Sequence, residues 1–121
     1  MAVNAKPVPS PLATTQTTDS DADEVIQYAV AGAGNVASVY VDNTNNGARS
    51  FVKVYDATSG VTVGTTAPLA IFMAPASAAR MYTIPLGLAF GTGLAYAVVT
   101  TAGTAGTTGP GSTVTLRFLT N

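Results

Sequence analysis

The sequence predicts an all-β protein, an antiparallel two-sheet β-sandwich of jelly-roll or immunoglobulin-like topology with an extended N-terminal arm. Three features carry that expectation. Short runs rich in Val, Ile, Thr, Tyr and Phe alternate with a period of two; clusters of Gly, Asn, Asp, Ser and Pro separate them at regular spacing; and nothing supports a long amphipathic helix. At 121 residues the chain can enclose one core without a disulfide or a structural metal.

Residues 1–23 form the expected arm. Pro7, Pro9 and Pro11 alternate there ahead of a Thr/Gln/Ser/Asp stretch with few large apolar groups. Proline fixes φ and restricts the residue before it, so residues 6–12 should be stiff and extended, suited to lying across a neighbour; the alternative is a plain disordered terminus. Asp19, Asp21, Asp23 and Glu24 make the one acidic cluster. It lacks the central glycine and distal glutamate of a calcium loop and reads as a polar turn leading into the first strand.

The sandwich is expected over residues 24–121, with strands at 25–31, 36–42, 50–55, 61–63, 69–73, 80–84, 94–100 and 113–119. The punctuation between them, at 32–35, 43–47, 56–60 and 91–93, supplies residues that tolerate positive φ or close Asx turns. Pro75 limits any helix at 74–79 to a start. In the last strand Val114, Leu116 and Phe118 alternate with Thr113, Thr115 and Arg117, a half-buried pattern. Residues 94–100 are apolar or small on both faces, so that strand should be central or should face a partner. Residues 100–112, TTAGTAGTTGPGS, form a low-complexity loop too long for a simple hairpin, and it is expected to project.

Cysteine and histidine are both absent, which removes thiol nucleophiles, imidazole bases and the usual zinc ligands. The Ser and Thr hydroxyls then have no activating partner; Lys53, between Phe51 and Tyr55 on one strand face, reads as a snorkelling surface lysine. Asp42 and Asp56 end consecutive strands and read as turn caps rather than a glycosidase pair. The glycines at 32–34 and 91–93 open no helix and so make poor phosphate loops. No enzyme, cofactor or metal site is expected.

Lys6, Arg49, Lys53, Arg80 and Arg117 are scattered, which gives nucleic acid no basic track to follow. No apolar run is long enough for a membrane span, and residues 1–22 lack the regions of a secretory signal. Only 9% of residues are charged, against about 25% in a typical soluble domain. So neutral a surface suits a protein partly covered by neighbours, which points to assembly. Tyr28, Tyr40, Tyr55, Tyr82 and Tyr96 would support glycan binding only if two or three clustered on one exposed face.

The order of elements from Phe51 onward is a lysine-bearing strand, a D-A-T-S-G turn at 56–60, a V-G-T-x-x-P link at 63–68, a second strand, and F-G-T-G-L-A-Y-A-V at 90–98. It resembles small β-sandwich structural proteins of tailed bacteriophages, over roughly the second half of the chain. The resemblance implies a capsid decoration or cement protein, made in the host cytoplasm and carried on the virion surface. Its partner would be the major capsid protein, and its own oligomer a trimer. A tail, neck or baseplate subunit and a glycan-binding attachment module are the alternatives. Candidate contacts are Lys6, Pro7, Pro9, Pro11 and Leu12 in the arm, with Phe72, Met73, Tyr82 and Leu86 as outward-facing positions.

Overall fold

Period-two alternation becomes strand wherever β-branched residues sustain it. The computed structural model describes residues 15–121, which form eight strands: β1 (Thr15–Ala22), β2 (Gln27–Ala31), β3 (Gly34–Asp42), β4 (Ser50–Asp56), β5 (Ala70–Ala74), β6 (Ala79–Phe90), β7 (Gly93–Val99) and β8 (Val114–Thr120). Two antiparallel sheets result, sheet A in the order β1-β8-β3-β6 and sheet B in the order β2-β7-β4-β5.

The pairs β1·β8, β2·β7, β3·β6 and β4·β5 are nested like a long two-stranded ribbon closed at the β4–β5 connection. Rolling that ribbon brings β8 against β3 and β7 against β4, which completes the sheets. This is jelly-roll connectivity, and it settles the choice that the sequence left open. Inward residues of both sheets, among them Val39, Val41, Val54, Val98, Leu116 and Phe118, are fully buried in a single core. The Tyr96 and Phe118 rings meet there at 5.0 Å.

Three expected elements differ, the first being the strand expected at 80–84, which runs as β6 from Ala79 through Phe90. Residues 61–63 form no strand: Thr62 instead closes a turn, its carbonyl accepting from the Thr65 and Thr66 amides. Within the expected arm, Thr15–Ala22 is strand β1 at the edge of sheet A, while residues 1–14 lie outside the described residues. Alternating Thr supplies β propensity, but an interaction across the sandwich holds this strand. Asp19 pairs with inward-facing Leu116, and its carboxylate accepts from the Tyr96 hydroxyl of sheet B at 2.7 Å. Burial first, and the Asp19 carboxylate second, push the Tyr96 phenol well above its ordinary pKa. Ala22 then plugs the core, and the Asp23 carbonyl accepts from the Val98 amide at 2.7 Å as the chain crosses to sheet B. The acidic cluster thus stitches an edge: Asp19 and Asp23 face different partners.

The strand-ending aspartates are caps, one local and one distant. Asp42 accepts from the Thr44 amide and hydroxyl at 3.0 and 2.6 Å. Asp56 reaches instead to the β6–β7 turn and accepts from the amides of Gly91, Thr92 and Gly93 at 2.9, 2.8 and 3.2 Å. The glycine turn is an anion cradle, and the chain's own carboxylate fills it.

Bonds from the Gly91 and Thr92 amides hold the Asp56 carboxyl below its ordinary pKa, and bonds from Thr44 do the same for Asp42. A carboxylate with a depressed folded pKa contributes stability that is complete above the unfolded value of about 3.9 and is lost as pH falls through the folded one. The melting temperature should therefore fall as pH drops below about 4, and D56N should flatten that fall without changing the fold at neutral pH. An unchanged acid limb in D56N would contradict the cradle.

Candidate functional site

Strand β7 is buried at all seven positions. Leu94, Tyr96 and Val98 enter the core, so Ala95, Ala97 and Val99 face the other way, alongside Lys53 and Tyr55 of β4. The five residues on that outer face are between 0 and 1% exposed. Their cover is the chain's own pair of loops, residues 57–69 and 100–113. The loops touch where Gly64, at φ +95°, lies so close to Thr107 that no side chain fits between them. Tyr28, at 43% exposure on the margin, accepts from the Val61 amide at 3.0 Å and ties the first loop to β2.

Lys53 is the fastening. Its side chain is fully buried, and its Nζ donates to the carbonyls of Thr104 and Gly106 at 3.0 and 2.6 Å. Burial pushes the ammonium pKa below the usual lysine range. A lysine expected to snorkel at the surface is instead roofed by the loop expected to project. The correction has a physical cause: a Gly/Thr/Ala loop presents unpaired backbone carbonyls, and a buried ammonium supplies the donors they lack.

The far end of the same loop is held by amides. Asn46 Nδ2 donates to the Ser112 carbonyl and its Oδ1 accepts from the Ser112 amide, at 2.9 and 2.7 Å. Asn46 also donates to Asn43 Oδ1, which accepts from the Ser50 hydroxyl at 2.7 Å. Asn43 Nδ2 donates in turn to the Ala48 and Pro75 carbonyls. Asn43 is wholly buried and fully engaged, so the N-T-N-N-G turn organises three segments at one end of the sandwich. Under the loops, the Tyr55 hydroxyl alone is buried without a hydrogen-bond partner among the described side chains, and burial raises its pKa.

The outer face of sheet A has no such roof among the described residues. Cross-strand rows place Gln16, Leu119, Ser38 and Thr83 side by side, then Thr18, Arg117, Tyr40 and Met81. Met81 is 63% exposed and Leu119 36%, and the Arg117 guanidinium lies 5.3 Å from the centre of the Tyr40 ring. Gln16, Ser38, Tyr40, Met81, Arg117 and Leu119 line a shallow depression of about 210 Å³.

The candidate contacts divide. Leu86, 96% exposed, projects from the β6 edge of sheet A as expected. Phe72 and Tyr82, expected to face outward, pack against the core with ring centres 5.3 Å apart, and the Tyr82 hydroxyl donates to the Met73 carbonyl. Period two explains the correction: Phe72 pairs with core Val52, and Tyr82 with core Val39. Met73 is half-buried opposite Phe51. Lys6, Pro7, Pro9, Pro11 and Leu12 lie outside the described residues. Sequence reading missed Tyr40, Met81 and Leu119, although alternation in β8 had already marked Arg117 as outward.

No family model matches the chain, and no curated protein matches it significantly. Its chemistry therefore rests on its own residues. Among those described, no three acidic side chains are grouped to hold a metal ion, and no helix is long and apolar enough to cross a membrane. The tyrosines are dispersed: Tyr55 and Tyr96 are buried, Tyr82 packs on the core, and Tyr28 and Tyr40 lie on different sheets. The aromatic cluster that a glycan platform needs is not formed by these residues.

Two substitutions under the roof should act in opposite directions. Lys53→Met keeps the length of the side chain but strips two carbonyls of their donor. It should cost about 1–3 kcal/mol and make residues 101–109 the first cut by a non-specific protease. Tyr55→Phe removes an unpartnered hydroxyl and should leave stability equal or higher. Chemical denaturation with timed proteolysis reads both, and a Lys53→Met protein as stable and as resistant as the parent would contradict the fastening.

Proposed function

We propose that this chain is a non-enzymatic structural protein of a bacteriophage virion, a decoration or cement protein bound to a shell of major capsid protein. The observation that carries the reading is the imbalance between the two sheets. Sheet B is roofed by its own loops, whereas among the described residues sheet A leaves Tyr40, Met81 and Leu119 uncovered around Arg117, with Leu86 exposed at its edge. On a chain with net charge −1 and few charged residues, an uncovered face of this kind favours association over solitary life.

The mechanism is adhesion. Homo-oligomers on the shell surface would bury this face of sheet A, and residues 1–14 would extend to the capsid lattice, with Lys6 to Leu12 as the gripping segment. β1 gives that segment a firm root. It begins at Thr15, is laddered to β8 through Ala22, and is pinned to the opposite sheet by Tyr96 and Asp19. Load on the arm then passes into both sheets, and contacts totalling roughly 1,000 Å² or more would make the coat resist shell expansion.

Deletion of residues 1–14, which stops short of β1, should leave a folded sandwich with a melting temperature close to that of the full chain. It should sharply reduce occupancy on virions, measured by quantitative mass spectrometry against the major capsid protein. The full chain should be present at one copy per one to a few capsid subunits. Full occupancy by the truncated chain would overturn the arm's role, and absence of the full chain from purified particles would overturn the reading as a whole.

A further inference from the structure

We propose that Leu86 of one copy seats in the sheet A depression of a second copy, beside Tyr40, Met81 and Leu119, and that this contact builds the homo-oligomer. The inference rests on the reading of sheet A as the assembly face and names what covers it.

The knob is built into the fold. Along β3·β6 the pairing runs from Val36 with Leu88 directly to Ser38 with Thr83, so four residues, Ile84 to Gly87, bulge opposite Ala37 alone. Pro85 has no amide to offer a further strand, which blunts this edge against simple strand addition. Gly87, at φ +76°, packs so tightly on Asn35 that a Cβ would come within 2.9 Å of the asparagine's own. The bulge is therefore shaped by its own residues, and it presents a leucine at 96% exposure where local structure demands no apolar side chain.

The hole is complementary. Its volume of about 210 Å³ has room for one branched aliphatic side chain, and Tyr40, Met81 and Leu119 line it together with Gln16, Ser38 and Arg117. Arg117, the one ion lining it, is engaged over the Tyr40 ring, and residues 81–90 around the knob carry no charge. Knob and hole are different patches of the same sheet, so two copies can exchange the contact reciprocally about a two-fold axis, or pass it on in one direction around a ring.

The cysteine-free chain makes the test direct. L86C and M81C proteins are purified separately, mixed and mildly oxidised. The contact predicts that the mixed L86C–M81C disulfide dimer dominates over both homodimers. In parallel, L86E should shift the oligomer to monomer in sedimentation analysis with an unchanged circular dichroism spectrum. Homodimers of L86C as the main product, or a full-length parent chain that sediments as a monomer, would overturn the proposal. Failure here leaves the virion reading standing if the protein still occupies particles, whereas absence from particles leaves this self-association intact.

Discussion

A buried ammonium fastens this molecule. Lys53 rises from the centre of sheet B into a layer of Gly, Thr and Ala backbone and holds two of its carbonyls. Without that donor, the 100–113 loop would have to leave carbonyls unpaired in a dry layer or lift into water. In the second case it would uncover Ala95, Ala97, Val99 and Tyr55. Desolvating the lysine costs free energy, as the direction of its pKa displacement shows; the charge-assisted bonds and the apolar area shielded from water offset it. The amide network of Asn43 and Asn46 performs the complementary task at the loop's other end, so the roof is held at both ends of its span.

That roof decides which surface is left for partners. A jelly roll has two outer faces, and a strand such as β7, apolar on both sides, requires both of its faces to be covered. Here the chain covers sheet B with its own loops, and among the described residues nothing lies over sheet A, where Arg117 sits against the Tyr40 ring. Edges are handled separately. Inward Asp19 on β1 and the Pro85 bulge on β6 both discourage strand addition at the two edges of sheet A.

Sequence alone made the sandwich legible because strand chemistry and turn chemistry agree: alternation, Asx turns and glycine clusters mark most of the boundaries from β2 to β8, though β6 runs on from its expected end at 84 to Phe90. The 61–63 segment misled because its Val-Thr-Val pattern is too short to outweigh the turn that follows. β1 was hidden for the opposite reason. Its residues are polar, and the bond that orders it joins Asp19 to Tyr96, 77 positions away. Lys53 was misread because its partners are backbone carbonyls of a low-complexity loop, which leave no residue-type signature. The doubly apolar β7 was the available clue that something lay over its neighbour. On sheet A, Leu86 was already among the outward-facing candidates, whereas Met81 and Leu119 gain meaning only once register sets them beside Tyr40.

The most direct test exploits the presence of only two lysines, Lys6 and Lys53, in the chain. A pH titration of the two side-chain amines by ¹⁵N NMR at Nζ requires no substitution. The account predicts that the Lys53 signal shows slowed proton exchange and a midpoint displaced downward from the usual lysine range. A Lys53 amine that exchanges freely and titrates with no downward displacement would contradict the buried fastening.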